Sequence, residues 1–158
     1  MSTITTDKTT TATLGARILR EGYGDGAWHG PDLKAALADV TSDAAFKRPG
    51  PGRHNIAEIA MHHAYTVRGV CAKLTGVAPE PFVLEGDDWF ALDDESTMPW
   101  RKILDVVTRE QKRLAQTVAE LPSQLSEDAS FDLVLGITCH AVYHAGQIQL
   151  VKKLTAQA

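Results

Sequence analysis

At 158 residues, with 44% hydrophobic and 23% charged residues, the chain has the size and composition of one globular domain whose core needs no covalent staples. The formal charge of −4 and the absence of a basic stripe argue against a nucleic-acid partner, because nothing is available to neutralise phosphates. No signal peptide and no 18-residue apolar run is present, and Cys71 and Cys139 lack CxxC spacing, so the expectation is a cytoplasmic protein, neither exported nor spanning a membrane, with two reduced core thiols.

The opening residues 1–11 are threonine-rich and polar and predict a flexible tail ahead of a single domain over 12–158. From about Ala12 to Arg20, Leu14, Ile18 and Leu19 form a short helical stripe that the glycines of EGYGDGAWHG interrupt. A second segment starts at Pro31, a residue suited to a first helical turn, and continues to Val40; together the two read as one broken first helix. Trp28 and His29 lie in the interruption, where a structural role at the helix start competes with a place at a site mouth.

PGPGRHN cannot be helical, and leads to Asn55 as an N-cap with Glu58 three residues on, the pattern of a capping box. The second helix then runs to about Leu74 and closes at Thr75-Gly76. Its apolar face is centred near His63, and His62 lies about 100° away on a more polar flank. Residues 76–98 form a long connection carrying Phe82, Trp89 and Phe90, which predicts a folded lid or flap in which Asp88 and Trp89 either line a pocket or anchor the flap. The third helix begins near Thr97 or Met98 and ends at Leu121-Pro122; PSQLSEDAS is a polar turn, and Ser130 is the expected N-cap of the fourth helix. The coarse reading is all-α, four helices without a strand.

The fourth helix carries the chemistry. In FDLVLGITCHAVYHAGQIQLVKK, His140 and His144 are four residues apart and share one helix face, a metal-chelating spacing, on a stripe with Leu133, Gly136, Ile137, Gln147 and Val151. An open catalytic metal site takes three protein ligands and leaves one position exchangeable, so a third histidine must come from elsewhere; the second helix offers His62 and His63. Gln147, one turn beyond His144, fits either a partner that orients a ligand or plain packing. Gly136 fits either a close helix approach or room beside a metal. Glu58 is a turn before His62 and in reach of general-base work, though its capping role already accounts for it. His54, outside the cap, reads as solvated.

On two motifs, NIAEIAMHHAY in the second helix and HAVYHAGQIQL in the fourth, the chain resembles the DinB-like family of four-helix-bundle metalloproteins. The likeness covers nearly everything after about residue 12, and HxxxHxxQ is its most specific part. The family pattern sets one histidine six residues after the first apolar residue of the second helix, ahead of an apolar-Ala pair. That residue is His62, with His63-Ala64 in the pair, an unusual place for a histidine and one that suits a packed core imidazole. The resemblance implies a divalent metal, zinc or nickel, held by His62, His140 and His144. It further implies transfer of a low-molecular-weight thiol, of the bacillithiol or mycothiol kind, to a small electrophile. The competing readings are hydrolysis by metal-bound hydroxide and a non-catalytic metal or small-molecule binding protein. A small-molecule substrate and a homodimer complete the expectation.

Overall fold

The computed structural model describes residues 8–24, 26–121 and 129–156 and is all-helical over them. Four long helices make the bundle: α1 (Lys8–Gly22), α4 (Ile56–Thr75), α5 (Trp100–Ala119) and α6 (Ala129–Ala156). Their principal contacts run α1 to α6, α6 to α4, α4 to α5 and α5 back to α1, so each long helix packs against two others in a ring. The two short helices, α2 (Leu33–Ala38) and α3 (Ser42–Phe46), pack on α6 and on α4 and α5 respectively.

The predicted broken first helix is therefore two separate helices, α1 and α2, and α3 was not foreseen; Thr41 caps it by accepting from the Ala44 N–H. The first helix begins at Lys8, earlier than its apolar stripe suggested, and the rest of the expected tail lies outside the described residues. So does most of PSQLSEDAS, and α6 starts at Ala129, which puts Ser130 inside the first turn instead of at the cap. Both ends of α4 fall where the sequence sets them. Asn55 Oδ1 accepts from the Glu58 N–H at 2.9 Å, and Gly76 takes φ 69°, the left-handed C-cap conformation.

The core falls into two apolar clusters. One gathers Ile56 to Ala64 of α4, Trp100 to Val107 of α5 and Ala141 to Val151 of α6, with the inner faces of α2 and α3. The other gathers Val67, Val70 and Cys71 of α4, Leu114 and Val118 of α5, and Val134 and Ile137 of α6. On α5 and α6 the changeover falls at polar residues, Glu110 and Gln111 and then His140, and on α4 His63 lies within the last turn before it. A polar layer thus crosses the bundle at mid-height, and its satisfaction by hydrogen bonds decides what it costs.

Candidate metal centre

His62, His140 and His144 each bring one ring nitrogen to within 4.8 Å of the others. The atoms that meet are the three Nε2: His140 Nε2 lies 3.2 Å from His62 Nε2 and 3.1 Å from His144 Nε2. Each ring has an outer partner at Nδ1. His62 Nδ1 is 3.0 Å from the Asp88 carbonyl oxygen and 3.0 Å from its carboxylate Oδ1. His144 Nδ1 is 2.6 Å from Gln147 Oε1. His140 Nδ1 is 3.2 Å from His63 Nδ1, and the far nitrogen of His63, Nε2, meets the side-chain amide of Gln111.

These partners assign the protons. Asp88 and Gln147 offer oxygens that only accept, so His62 and His144 carry hydrogen on Nδ1 and keep the Nε2 lone pair. His63 links the triad to α5: its Nδ1 faces His140 Nδ1 and its Nε2 accepts from the Gln111 side-chain amide nitrogen. The three Nε2 atoms thus gather about one point, all within 4.8 Å of one another and with His140 Nε2 3.1 and 3.2 Å from the other two. Ligands at tetrahedral angles around zinc stand about 3.3 Å apart, close to the two separations from His140. The donor set therefore fits a divalent metal, and the outer acceptors are the kind that orient metal-bound imidazoles.

The electrostatics point the same way. Burial, reinforced by His144 and then His62, lowers His140 to about 4; burial also lowers His144 to about 4 against the opposing bond to Gln147. His63, fully buried, is held well below its ordinary value for the same first reason, with His140, His144 and His62 adding to it. At neutral pH these rings are neutral, the form a metal requires.

The second histidine pair divides as periodicity and resemblance jointly require. His63 is wholly buried, as the apolar face of α4 dictates, and His62 is 8% exposed at the flank, where it joins the cluster. His63 is more than a packed imidazole, however, because it is the hydrogen-bond partner of His140. The α6 stripe needs correcting too. The buried face of α6 is centred on Val134, Ala141, Ala145 and Ile148, so His140 and Gln147 sit at its edge, only partly buried. Gly136 is exposed with nothing within 4 Å of where a Cβ would stand, so it serves neither a close approach nor the site. Cys139 is exposed as well; only Cys71 is a core thiol.

The long connection folds over the cluster. Trp89 is sandwiched between His62, at 4.0 Å between ring centroids and 2° between planes, and His54, at 3.8 Å and 8°. His54, its side chain 48% exposed as expected of a solvated residue, is also an outer wall of the site. The loop is secured on both sides of Trp89: Tyr65 Oη donates to Asp87 Oδ1 at 2.7 Å, and Asn55 Nδ2 donates to the Leu92 carbonyl at 2.6 Å. Between these anchors the Trp89 N–H donates to the Asp87 carbonyl at 2.8 Å, which throws Asp88 into φ 64°. A non-glycine residue there stores strain of about 1 kcal/mol. The return is the placement of the Asp88 carbonyl on His62.

Glu58 departs from its capping-box role. Its backbone N–H takes the Asn55 cap, but its carboxylate accepts from Arg48 through Nη1 at 3.0 Å and Nη2 at 2.5 Å, pairs with His54 Nδ1 at 2.8 Å, and accepts from the Leu92 N–H at 3.2 Å. Burial pushes this carboxyl up, yet the bonds from Arg48, His54 and Leu92 together outweigh it and hold Glu58 below the ordinary carboxylate value. The same pairing raises the Arg48 guanidinium. Glu58 is a clamp for the wall that backs Trp89, with its oxygens already engaged.

Gln111 escaped the sequence reading, although a signal was there: it lies between Val107 and Leu114 on the inward stripe of α5, where an apolar residue is expected. Trp28, 93% exposed, and His29, bonded to the Glu21 carbonyl, belong to the turn after α1 and take no part in the cluster.

The sequence model of the DinB superfamily matches residues 25–148, a span that takes in all three histidines and every outer partner just described. The chain belongs to the DinB superfamily. No curated protein and no solved structure matches it. Membership joins the all-helical bundle and the three-histidine cluster to a superfamily associated with metals, and the residues of this DinB chain fit that association. No helix among the described residues is long and apolar enough to cross a membrane.

Proposed function

We propose that this chain is a divalent-metal-dependent enzyme that transfers a low-molecular-weight thiol to a small electrophile, with zinc or nickel held by His62, His140 and His144. One observation carries the reading: three Nε2 atoms converge while the Nδ1 atoms of His62 and His144 are committed to oxygen acceptors. The metal would supply positive charge and an exchangeable position at which a thiol gives up its proton. The protein's part is to keep three neutral imidazoles aligned, and to hold the Trp89 loop over one side so that the sulfur meets the electrophile with little competing water. The thiol's S–H bond breaks and an S–C bond forms, while the proton and any leaving group depart together.

Hydrolysis with Glu58 as general base is the weaker reading, since that carboxylate is occupied by Arg48, His54 and Leu92. The test is consumption of low-molecular-weight thiols by metal-loaded protein in the presence of generic electrophiles, beside activated esters without thiol. Thiol loss dependent on metal and on His140 supports the transferase. Ester turnover without thiol supports hydrolysis, and neither leaves a non-catalytic metal binder.

A further inference from the structure

A cleft of about 750 Å³ lies between the turn at residues 49–54 and the last turns of α6, a size suited to small organic molecules. Its apolar lining includes Ile59, Leu150 and Leu154, and the last two are 57% and 48% exposed, so α6 presents uncovered aliphatic surface there. No acidic residue lines it, in a chain carrying 20 of them. Arg53 does line it. The contrast with Arg48 is informative: Arg48 is spent on Glu58 and Asp93, while the Arg53 side chain has no hydrogen-bond or ion-pair partner among the described residues.

The turn that presents Arg53 is held in place beforehand. Pro49 and Pro51 restrict it, Gly52 takes φ 68°, the Arg53 N–H donates to the Gly50 carbonyl at 3.2 Å, and Arg48 Nη1 donates to the Arg53 carbonyl at 2.8 Å. The cleft also touches the triad's supports. Gln147, which lines it, accepts from His144 Nδ1–H, and His54, also lining it, backs Trp89 against His62.

We propose that this cleft binds the electrophilic co-reactant, and that the co-reactant is an apolar molecule bearing one anionic group, its body on Ile59, Leu150 and Leu154 and its carboxylate or sulfonate on Arg53. An uncompensated cation at the rim of an aliphatic cleft is complementary to such a molecule and to few others. Catalytic use of the cleft rests on the metal-dependent reading above; the binding does not.

The experiment titrates the full chain with the anionic dye 8-anilinonaphthalene-1-sulfonate and with its neutral relative N-phenyl-1-naphthylamine, following dye emission. Arg53→Ala weakens the anionic dye about tenfold and leaves the neutral one unchanged, Arg53→Lys recovers part of the loss, and Leu150→Asp weakens both at least tenfold. Circular dichroism establishes that each variant is folded, and zinc uptake that its triad is intact. Equal binding of the anionic dye to wild type and Arg53→Ala overturns the proposal. So does a wild-type dimer that Leu150→Asp dissociates with a gain in dye binding, since a second copy would then cover the cleft. Charge-dependent dye binding by protein that takes up no zinc supports the cleft and overturns the metal-dependent reading instead.

Discussion

The two sides of the triad solve one problem with different materials. Behind His140, Nδ1 is held by the Nδ1 of His63, which is wholly buried and braced by Gln111 on a neighbouring helix. In front of His62 the same service comes from a loop: a strained Asp88 carbonyl and the Trp89 indole, in a segment without regular secondary structure. The inner support cannot move without disturbing the core. The outer one hangs on side-chain hydrogen bonds to Tyr65, Asn55 and Glu58, so it is the side that can open.

The largest expected effect abolishes both sides together. His140→Ala with His144→Ala removes two of the three clustered histidines, and elemental analysis of untagged protein should fall from near-stoichiometric zinc or nickel to background while the helical signal persists. Metal-free wild-type protein that cannot be reloaded would sink the whole reading. Next in size is the inner side alone. His63→Leu puts an apolar residue where the face of α4 calls for one but frees His140 Nδ1, so metal affinity in competition titrations should drop roughly 10- to 100-fold. The melting temperature of the metal-free protein should not fall by a comparable amount. If stability collapses and affinity does not, His63 is only packing.

The outer side should give smaller changes. Trp89→Ala removes the stack on His62 and should weaken metal binding about tenfold or less, mainly by speeding metal release. Asp88→Gly relieves the left-handed strain and keeps the carbonyl, so affinity should stay within about threefold of wild type; a larger loss would assign the His62 contact to the carboxylate instead. A separate effect, on stability and not on metal affinity, concerns pH. His140 and His144 titrate near 4 in the folded protein and near 6.5 when unfolded, so below 6.5 the unfolded chain binds more protons. Stability of the metal-free protein should therefore be constant well above pH 6.5 and decline as pH falls towards 4, by about 3 to 6 kcal/mol for the two rings together. A midpoint of thermal unfolding unchanged across that range would contradict the neutral, buried state of both rings.

Sequence by itself determined the helices that matter and the three histidines that cluster. Caps at Asn55 and Gly76, the period of the apolar residues and the i, i+4 histidines are local properties, set by hydrogen bonds and side-chain directions within a turn or two. His62 followed from likeness to a family pattern, and burial periodicity put His63 behind it. What lay beyond reach shares one physical feature, dependence on contacts between residues distant in the chain. The Glu58 backbone was legible as a cap, but the direction of its carboxylate was settled by Arg48 and Leu92, brought up by the loops on either side. His54 is half exposed, as its own segment suggested, but its stack on Trp89, 35 positions away, could not be read there. Gly136 and Cys139 sat on an apolar stretch and proved exposed, because α6 is apolar nearly all round and only its packing against α1, α2 and α4 selects the inner face. The arrangement of the polar layer was a tertiary decision for the same reason. A buried histidine or glutamine is tolerated only where another element delivers its hydrogen-bond partner, and no local pattern states which element that will be.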